Sequence, residues 1–395
     1  MKYEDVAIPL GHAWSSPFAK WQGTLAETSS LDLAVAVTGR ALAERDLDPS
    51  WFDGIVLGTT VPQPDLFYGA PTLAARLGAT GLTGPMVSQA CATSVAALQA
   101  AAGAVAAGAA RQLVVVADRT SNGPTVIYPS SRGQGGAPVV THWVLDAFAQ
   151  DPWAGQAMLA TAEAVAAESG ITREELDDLT ALRWEQYRAA LADDRAFQRR
   201  YQVPVEIKRR KGSVVLDADE GVRSKERTAI GQLPPAASDG VHTFAAQTHP
   251  ADGCAGAVVT TREEARSRSE SGIARILSSG VARVRKSRMP EAPVPAARAA
   301  LAAAGLDFTD LHAITTHNPF AVNDVYFCRE TGVKPADMNA YGCSLVFGHP
   351  QGPTGLRSIT ELIETLRLRG GGLGLFTGCA AGDTAAAMVL EVTDR

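Results

Sequence analysis

Hydrophobic positions in this chain fall into two repeating kinds of segment. Short, continuously apolar runs occur at Phe52 to Thr59 (FDGIVLGT), Gln112 to Ala117 (QLVVVA), Leu311 to Thr316 (LHAITT) and Leu373 to Thr377 (LGLFT). Unbroken apolar runs of this length predict strands of a sheet covered on both faces. Other stretches carry apolar residues at helical spacing. These predict helices from Leu31 to Arg45, behind the cap residues Thr28, Ser29 and Ser30, from Ala70 to Leu77, and along the Ala-rich run that follows Ala92. Further helices are predicted over Ala296 to Ala304 and, behind a glycine turn, over Pro353 to Arg369. Ile55 lies 59 positions before Val114, and Ala313 lies 62 before Leu375, so the two halves share order and period. A repeated helix–strand unit on an apolar sheet implies a layered α/β protein made of two similar halves.

The rest of the chain fits around these halves. A strand is predicted at Asp5 to Pro9, and the Gly/Trp/Ser/Pro stretch that follows, up to Gln22, is expected to run over the surface. The middle is rich in Pro, Gly, Arg and Gln. It holds two amphipathic helices, Pro152 to Ser169 and Thr172 to Arg188, the second opened by Thr172 with Glu175 three residues on, a capping-box pattern. An insertion of this length is more often a lid or binding loop than a disordered tract. Strands at Gly256 to Thr261 and Ala274 to Val284 bring the chain back to the core.

Composition narrows the function. The 395 residues are 46% hydrophobic, enough for two or three packed units. A net charge of -6 argues against a nucleic-acid partner, which would need a concentrated basic surface. The five cysteines are odd in number and lack CxxC spacing, so neither a disulfide framework nor a metal site is suggested, and a reducing, cytoplasmic setting is expected. MKYEDVAIPL does not read as a secretory leader, and the most apolar window, Ala100 to Ala110, is too short to span a membrane.

Three positions carry candidate chemistry. Cys91 stands where a β-branched stretch gives way to the Ala-rich helix, and a thiol at a helix N-terminus meets free N–H groups and the positive dipole end, which favour thiolate. The alternative is a small buried hydrophobe. His349, in GHPQGPTG, sits on a tight turn from which an imidazole can take a thiol proton, or it is a hydrogen-bonded loop histidine. Cys379, in GCAAG, follows an apolar strand and can exchange a proton with a carbon acid, or it is a packed cysteine. His317 ends the run LHAITT, where site residues of such sheets gather, with Asn318 beside it as an alternative polar group.

Taken together, the cysteine before an Ala-rich helix, then HNPFA (His317 to Ala321), GHPQGPTG (Gly348 to Gly355) and GCAAG (Gly378 to Gly382), resemble the thiolase family in order and spacing. TAEAVA (Thr161 to Ala166), DADEGVR (Asp217 to Arg223) and THPADGCAGA (Thr248 to Ala257) are similar to landmarks of its loop domain. The resemblance implies a duplicated five-layer α-β-α-β-α fold. It implies an N-terminal half over 1–120 plus 246–270, a loop domain over 121–245 and a C-terminal half over 271–395. It also implies acyl transfer between CoA thioesters by Claisen condensation or its reverse. Cys91 would be the acylated nucleophile, His349 its base and Cys379 the acid/base at the α-carbon. One oxyanion site would come from His349 with a group at the His317 position, the other from the N–H groups of Cys91 and Ala381. Met158, Arg223, Thr248 and Phe320 would border coenzyme A, which enters as substrate, with no tightly bound cofactor.

Such proteins pair as homodimers or dimers of dimers, and some histidine-bearing members work with an OB-fold partner. Departures from the pattern are His317 where many members carry Asn in an NEAF motif, similar to the HDxF of the sterol-carrier-protein-type branch, Ala381 where CxG has glycine, and Ala157 before Met158 in place of a histidine. Two other readings share parts of this pattern: a ketoacyl-synthase-type condensing enzyme, which would use two His or His/Asn in place of Cys379, and a subunit that binds CoA thioesters for an OB-fold partner.

Overall fold

Ser29 accepts the N–H of Asp32 through its side chain and so starts the first helix one residue before Leu31. The computed structural model describes residues 1–130, 135–210, 212–223 and 226–393. In chain order, the first part holds β1 (Ala7–Pro9), β2 (Ala13–Ser15), β3 (Ala19–Lys20), α1 (Ser30–Ala43), β4 (Gly54–Gly58), α2 (Gly69–Arg76), β5 (Met86–Val87), α3 (Thr93–Ala106) and β6 (Arg111–Arg119). The middle holds β7 (Thr125–Tyr128), β8 (Val139–His142), α4 (Leu145–Ala149), α5 (Met158–Glu168), α6 (Arg173–Arg199), β9 (Val205–Lys208), β10 (Ser213–Leu216) and α7 (Arg227–Gly231). The last part holds β11 (Ala251–Thr260), α8 (Arg262–Arg268), β12 (Ile273–Arg283), α9 (Pro293–Ala304), β13 (Ala313–His317), α10 (Ala321–Thr331), α11 (Ser344–Phe347), α12 (Gly352–Leu368), β14 (Gly372–Ala380) and β15 (Thr384–Thr393).

The repeat seen in the sequence is a pair of parallel strands with a crossover helix. β4 pairs with β6, Ile55 opposite Leu113, and β13 pairs with β14, Ile314 opposite Leu375. Parallel neighbours need a long connection, and α3 and α12 supply it. Neighbouring strands run β13-β14-β15-β12-β1-β11-β6-β4-β5, with β2 and β3 on other stretches of β11.

Alternation along the strands then builds the layers. Val114 and Val116 of β6 and Phe376 of β14 face a central cluster with Val95 and Leu98 of α3 and Ile359 and Leu362 of α12. Leu113 and Val115 face the other way, onto Leu33 and Val37 of α1 and Leu73 of α2. Leu375 faces Val294 and Leu301 of α9 and Phe327 of α10. The order is therefore helices, sheet, the α3–α12 pair, sheet, helices, the duplicated five-layer arrangement expected.

Several expectations needed correction. The stretch up to Gln22 does not run over the surface: Trp14, Phe18 and Ala19 are fully buried, and β2 and β3 hydrogen-bond to β11. Two strands of three and two residues are too short to display period-2 alternation. Trp14 fits because Gly256 lies beneath it, where a Cβ would come within 2.5 Å of the indole. The helix expected from Pro152 begins at Met158, because the Asp151 carboxylate captures the N–H groups of Trp153 and Ala154 in a turn. α6 has the expected Thr172–Glu175 capping box but runs to Arg199, past Arg188, with a break over Ala192 to Arg195. Neither α10 nor β15 was expected. α10 buries Asn323 and Asp324 on its inner face, and β15 opens on an Ala-rich run, so neither shows a clear apolar period.

Two buried ion pairs tie the middle segment to the C-terminal half. Arg183 of α6 meets Asp324 of α10 at 2.9 Å. Arg357 of α12, itself fully buried, grips both oxygens of Asp219 at 2.7 Å and Glu361 at 3.1 Å, between the rings of Phe18 and Phe347. Removing one partner of such a pair leaves an uncompensated buried charge, so Arg357→Met is expected to lower the stability to urea by about 3–5 kcal/mol. An unchanged unfolding midpoint would contradict this. Among the described residues, no helix is long and apolar enough to cross a membrane.

Candidate active site

Cys91 lies in the turn between β5 and α3. Ala90 before it holds φ at +45°, a left-handed conformation that a residue with a Cβ adopts at a cost of about 1–2 kcal/mol. Thr93 braces the turn: its hydroxyl donates to the Ala90 carbonyl at 2.7 Å and accepts the Gln89 N–H at 2.8 Å. The thiol is thereby left half-buried at the head of a helix whose first turn has no side-chain cap.

His349 comes from the other half of the molecule. Gly348 holds φ at +90°, and a Cβ there would come within 2.6 Å of His249, so only glycine lets the turn pass. His349 Nε2 stands 3.0 Å from Cys91 Sγ, and Nδ1 stands 2.6 Å from Thr354 Oγ1. Thr354 was not singled out from the sequence, although it lies five residues on in the same GHPQGPTG motif, at the first turn of α12. The N-terminal half steadies this turn. Gly352 gives its N–H to buried Asp118 at 2.9 Å and its carbonyl accepts the Ser94 hydroxyl at 2.5 Å. Asp118 also accepts the backbone N–H groups of Thr60 and Val61 at 2.7 and 3.0 Å, and burial pushes its carboxyl up to about 6.

His317 is the last residue of β13 and pairs in register with Gly378 of β14, which places Cys379 one residue further on. Cys379 thus lies inside β14 and not after it, since the strand continues to Ala380. The His317 ring stacks on His349 with centroids 4.0 Å apart. Its Nδ1 is 3.0 Å from Ser344 Oγ, while its buried Nε2 has no partner among the described residues. Asn318 turns away, donating to Asp324 at 2.7 Å. Cys379 receives the side-chain N–H of Asn323 at 3.3 Å, and Cys91 lies close enough to oppose ionisation of its thiol. Asn323 was also missed: only the fold shows that a residue one turn into α10 meets β14. The backbone N–H of Ala381 lies close enough to the Cys91 sulfur to favour its anion.

The protonation state differs from the expectation. Burial pushes the Cys91 thiol up to about 12, outweighing the Ala381 and Cys91 backbone N–H groups that favour the anion. Burial, and then the neighbouring His317, holds His349 well below the ordinary imidazole range, and burial lowers His317 to about 3. Burial thus disfavours charge on both partners of the Cys91–His349 contact. Alkylation of Cys91 by iodoacetamide should then rise about 10-fold per pH unit from pH 6 to 9, following the thiolate fraction. A rate that is already flat from pH 6 upward would show a preformed ion pair.

The residues expected to border a CoA chain are distributed less tightly. Met158 and Phe320 pack in one apolar cluster with Cys379. Thr248 donates its hydroxyl to the Ser344 carbonyl at 2.5 Å and its N–H to Pro319 at 2.8 Å, next to the His317 support. Arg223 is exposed and lies near His249, outside the cluster of thiols and imidazoles.

A thiol with an imidazole at hydrogen-bonding distance and a second thiol nearby, set where two α/β halves meet, is the equipment of a cysteine-dependent acyltransferase. Comparison with known proteins agrees. The thiolase N-terminal domain matches residues 11–264 and the thiolase C-terminal domain matches residues 271–392, so the chain belongs to the thiolase family. It is 30% identical over 382 residues to the acetyl-CoA acetyltransferase of Escherichia coli, covering 94% of this chain and 95% of that one. It is 29% identical over 387 residues to the Synechocystis acetyl-CoA acetyltransferase, covering 95% and 97%. The crystal structure of the Bacillus anthracis acetyl-CoA acetyltransferase superposes with a TM-score of 0.91 at 26% identity, covering 99% of each chain.

Proposed function

We propose that this chain transfers acyl groups between coenzyme A thioesters through an acyl-Cys91 intermediate, making or cleaving a 3-ketoacyl-CoA. The observation that carries the proposal is the 3.0 Å contact from His349 Nε2 to Cys91 Sγ, made across the two halves, with Cys379 beside it. The names of the Escherichia coli and Synechocystis relatives support acetyl-CoA as one substrate.

In the first half-reaction His349 Nε2 takes the Cys91 proton as the sulfur attacks the thioester carbonyl, and Thr354 holds the ring through Nδ1. The backbone N–H groups of Cys91 and Ala381 receive the oxyanion, and such a donor typically contributes ~3 kcal/mol. The departing CoA sulfur takes the proton back from His349. In the second half-reaction the thiolate form of Cys379, held by the Asn323 side-chain N–H, removes the α-proton of a second acyl-CoA; the carbanion displaces Cys91 from the acyl group, and the Cys91 thiolate takes the proton from Cys379, which restores both groups. His349, with the unpartnered Nε2 of His317 as N–H donor, faces the thioester oxygen of that carbanion. Met158, Phe320, Thr248 and Arg223 are proposed to border the CoA chain, under the segment 121–245 acting as a loop domain.

The second thiol favours this reading over a ketoacyl-synthase. Self-association is supported by the edge strand β5 and by the exposed apolar side chains of Ile127, Tyr128, Val139 and Val140 on the paired strands β7 and β8. Five free cysteines suit a reducing, cytoplasmic setting. Initial rates measured with two substrates should give the parallel-line pattern of a ping-pong mechanism. Intersecting lines, which signal a ternary complex and no acyl-enzyme, would sink the proposal.

A further inference from the structure

Spacing along the chain gave no hint of a metal site, because the donors come from three distant segments. In the fold, Cys91 Sγ and one ring nitrogen each of His317 and His349 lie within 4.8 Å of one another. We propose that these three side chains form a binding site for a zinc-type divalent cation, which occupies the site in competition with acylation of Cys91. Binding of the cation stands on the cluster geometry alone, and its competition with acylation rests on the acyl-transfer reading.

Three features support it. First, the donor set is one sulfur and two imidazole nitrogens, which selects borderline-soft cations such as zinc over calcium or magnesium. Tetrahedral zinc, with Zn–S near 2.3 Å and Zn–N near 2.0–2.1 Å, holds its donors roughly 3.3–3.8 Å apart, within reach of small side-chain shifts here. Second, each imidazole already carries the outer support that zinc-bound histidines have, a partner on its other nitrogen. His349 Nδ1 is on Thr354 Oγ1 at 2.6 Å and His317 Nδ1 is on Ser344 Oγ at 3.0 Å.

Third, His317 is 1% exposed, and its Nε2 is a buried polar atom with no protein partner. Such an atom calls for a ligand. Ser344 allows it to act in either tautomer. With the Ser344 hydroxyl turned to His317 Nδ1, Nε2 carries the proton and can donate to a substrate oxygen. With that hydroxyl turned to Asn318 Oδ1, 3.3 Å away, His317 donates from Nδ1 and Nε2 presents a lone pair. Metal binding uses the second arrangement and releases the Cys91 thiol proton to solvent. Three protein donors leave a fourth position open beside the sulfur, where an acyl group would otherwise sit. A chain with Asn in place of His317 lacks the third donor.

The test uses the full chain, stripped with a chelator and dialysed against zinc chloride at buffered free concentrations. One zinc per chain is expected, with affinity falling at least about 10-fold in His317→Asn and about 100-fold in Cys91→Ser. Cobalt(II) in place of zinc should show a thiolate-to-cobalt charge-transfer band that Cys91→Ser removes. Zinc should also slow iodoacetamide labelling of Cys91 in the natural chain and leave labelling unchanged in His317→Asn. Zinc binding equal in all three proteins, no binding at micromolar free zinc, or no protection of Cys91 would each overturn the inference. These readouts need no turnover, so their failure leaves the acyl-transfer proposal standing. A protein that binds zinc but never forms acyl-Cys91 would sink that proposal alone.

Discussion

Cys91→Ala is expected to lower acyl transfer by at least ~10,000-fold, about 5 kcal/mol of transition-state stabilisation, and to abolish the covalent adduct. The size follows from the arrangement around the sulfur. No other thiol is both accessible and in contact with His349: Cys254, Cys343 and Cys379 are buried, and Cys328 belongs to the cluster around α9 and α10. The His349–Thr354 pair and the Ala381 N–H remain after the substitution but have no nucleophile to act on. Intact-mass measurement after incubation with acetyl-CoA checks this directly. One acetyl group should appear on the natural chain and none on the variant. An adduct that survives the substitution would place the nucleophile elsewhere.

Cys379→Ala should split the reaction in two. Acylation of Cys91 needs only Cys91, His349 and the backbone donors, so the acetyl adduct should still form, and accumulate. Condensation and thiolysis should fall by about 100- to 10,000-fold, the usual range for a positioned general acid or base. Burial raises the Cys379 thiol well above its ordinary value, and Asn323, whose N–H meets the sulfur at 3.3 Å, partly offsets this in favour of the anion. Asn323→Ala should therefore depress the same step more mildly. Rapid-quench measurement of adduct and product in one experiment separates the half-reactions. Equal loss of both in Cys379→Ala would mean that this thiol is needed for the fold or for Cys91 itself.

Much of this is legible in the amino-acid sequence. The strand and helix pairs around Ile55, Val114, Ala313 and Leu375 could be read because fully buried strands are apolar throughout and their crossover helices are long. Cys91, His349 and Cys379 stood out because each lies beside glycine, alanine or proline near a predicted element, and His317 because it directly follows the apolar run that ends at Thr316. Thr354, Ser344, Asn323 and Asp118 did not stand out, because an isolated hydroxyl, amide or carboxylate in a chain looks the same whether it faces solvent or a catalytic ring. The burial of Trp14 and Phe18 was missed for a related reason, since strands as short as β2 and β3 carry no period.

The sequence by itself determined the duplicated layered architecture and singled out the candidate reacting groups, since both depend on residue type and local order. Only the tertiary structure decided how those groups behave. The two sulfurs and two imidazoles converge because parallel pairing of β13 with β14 and packing of α12 against α3 bring segments more than 200 residues apart into contact. The same convergence opposes charge at the site: a helix end alone would favour the Cys91 thiolate, but burial among the surrounding layers pushes the thiol up.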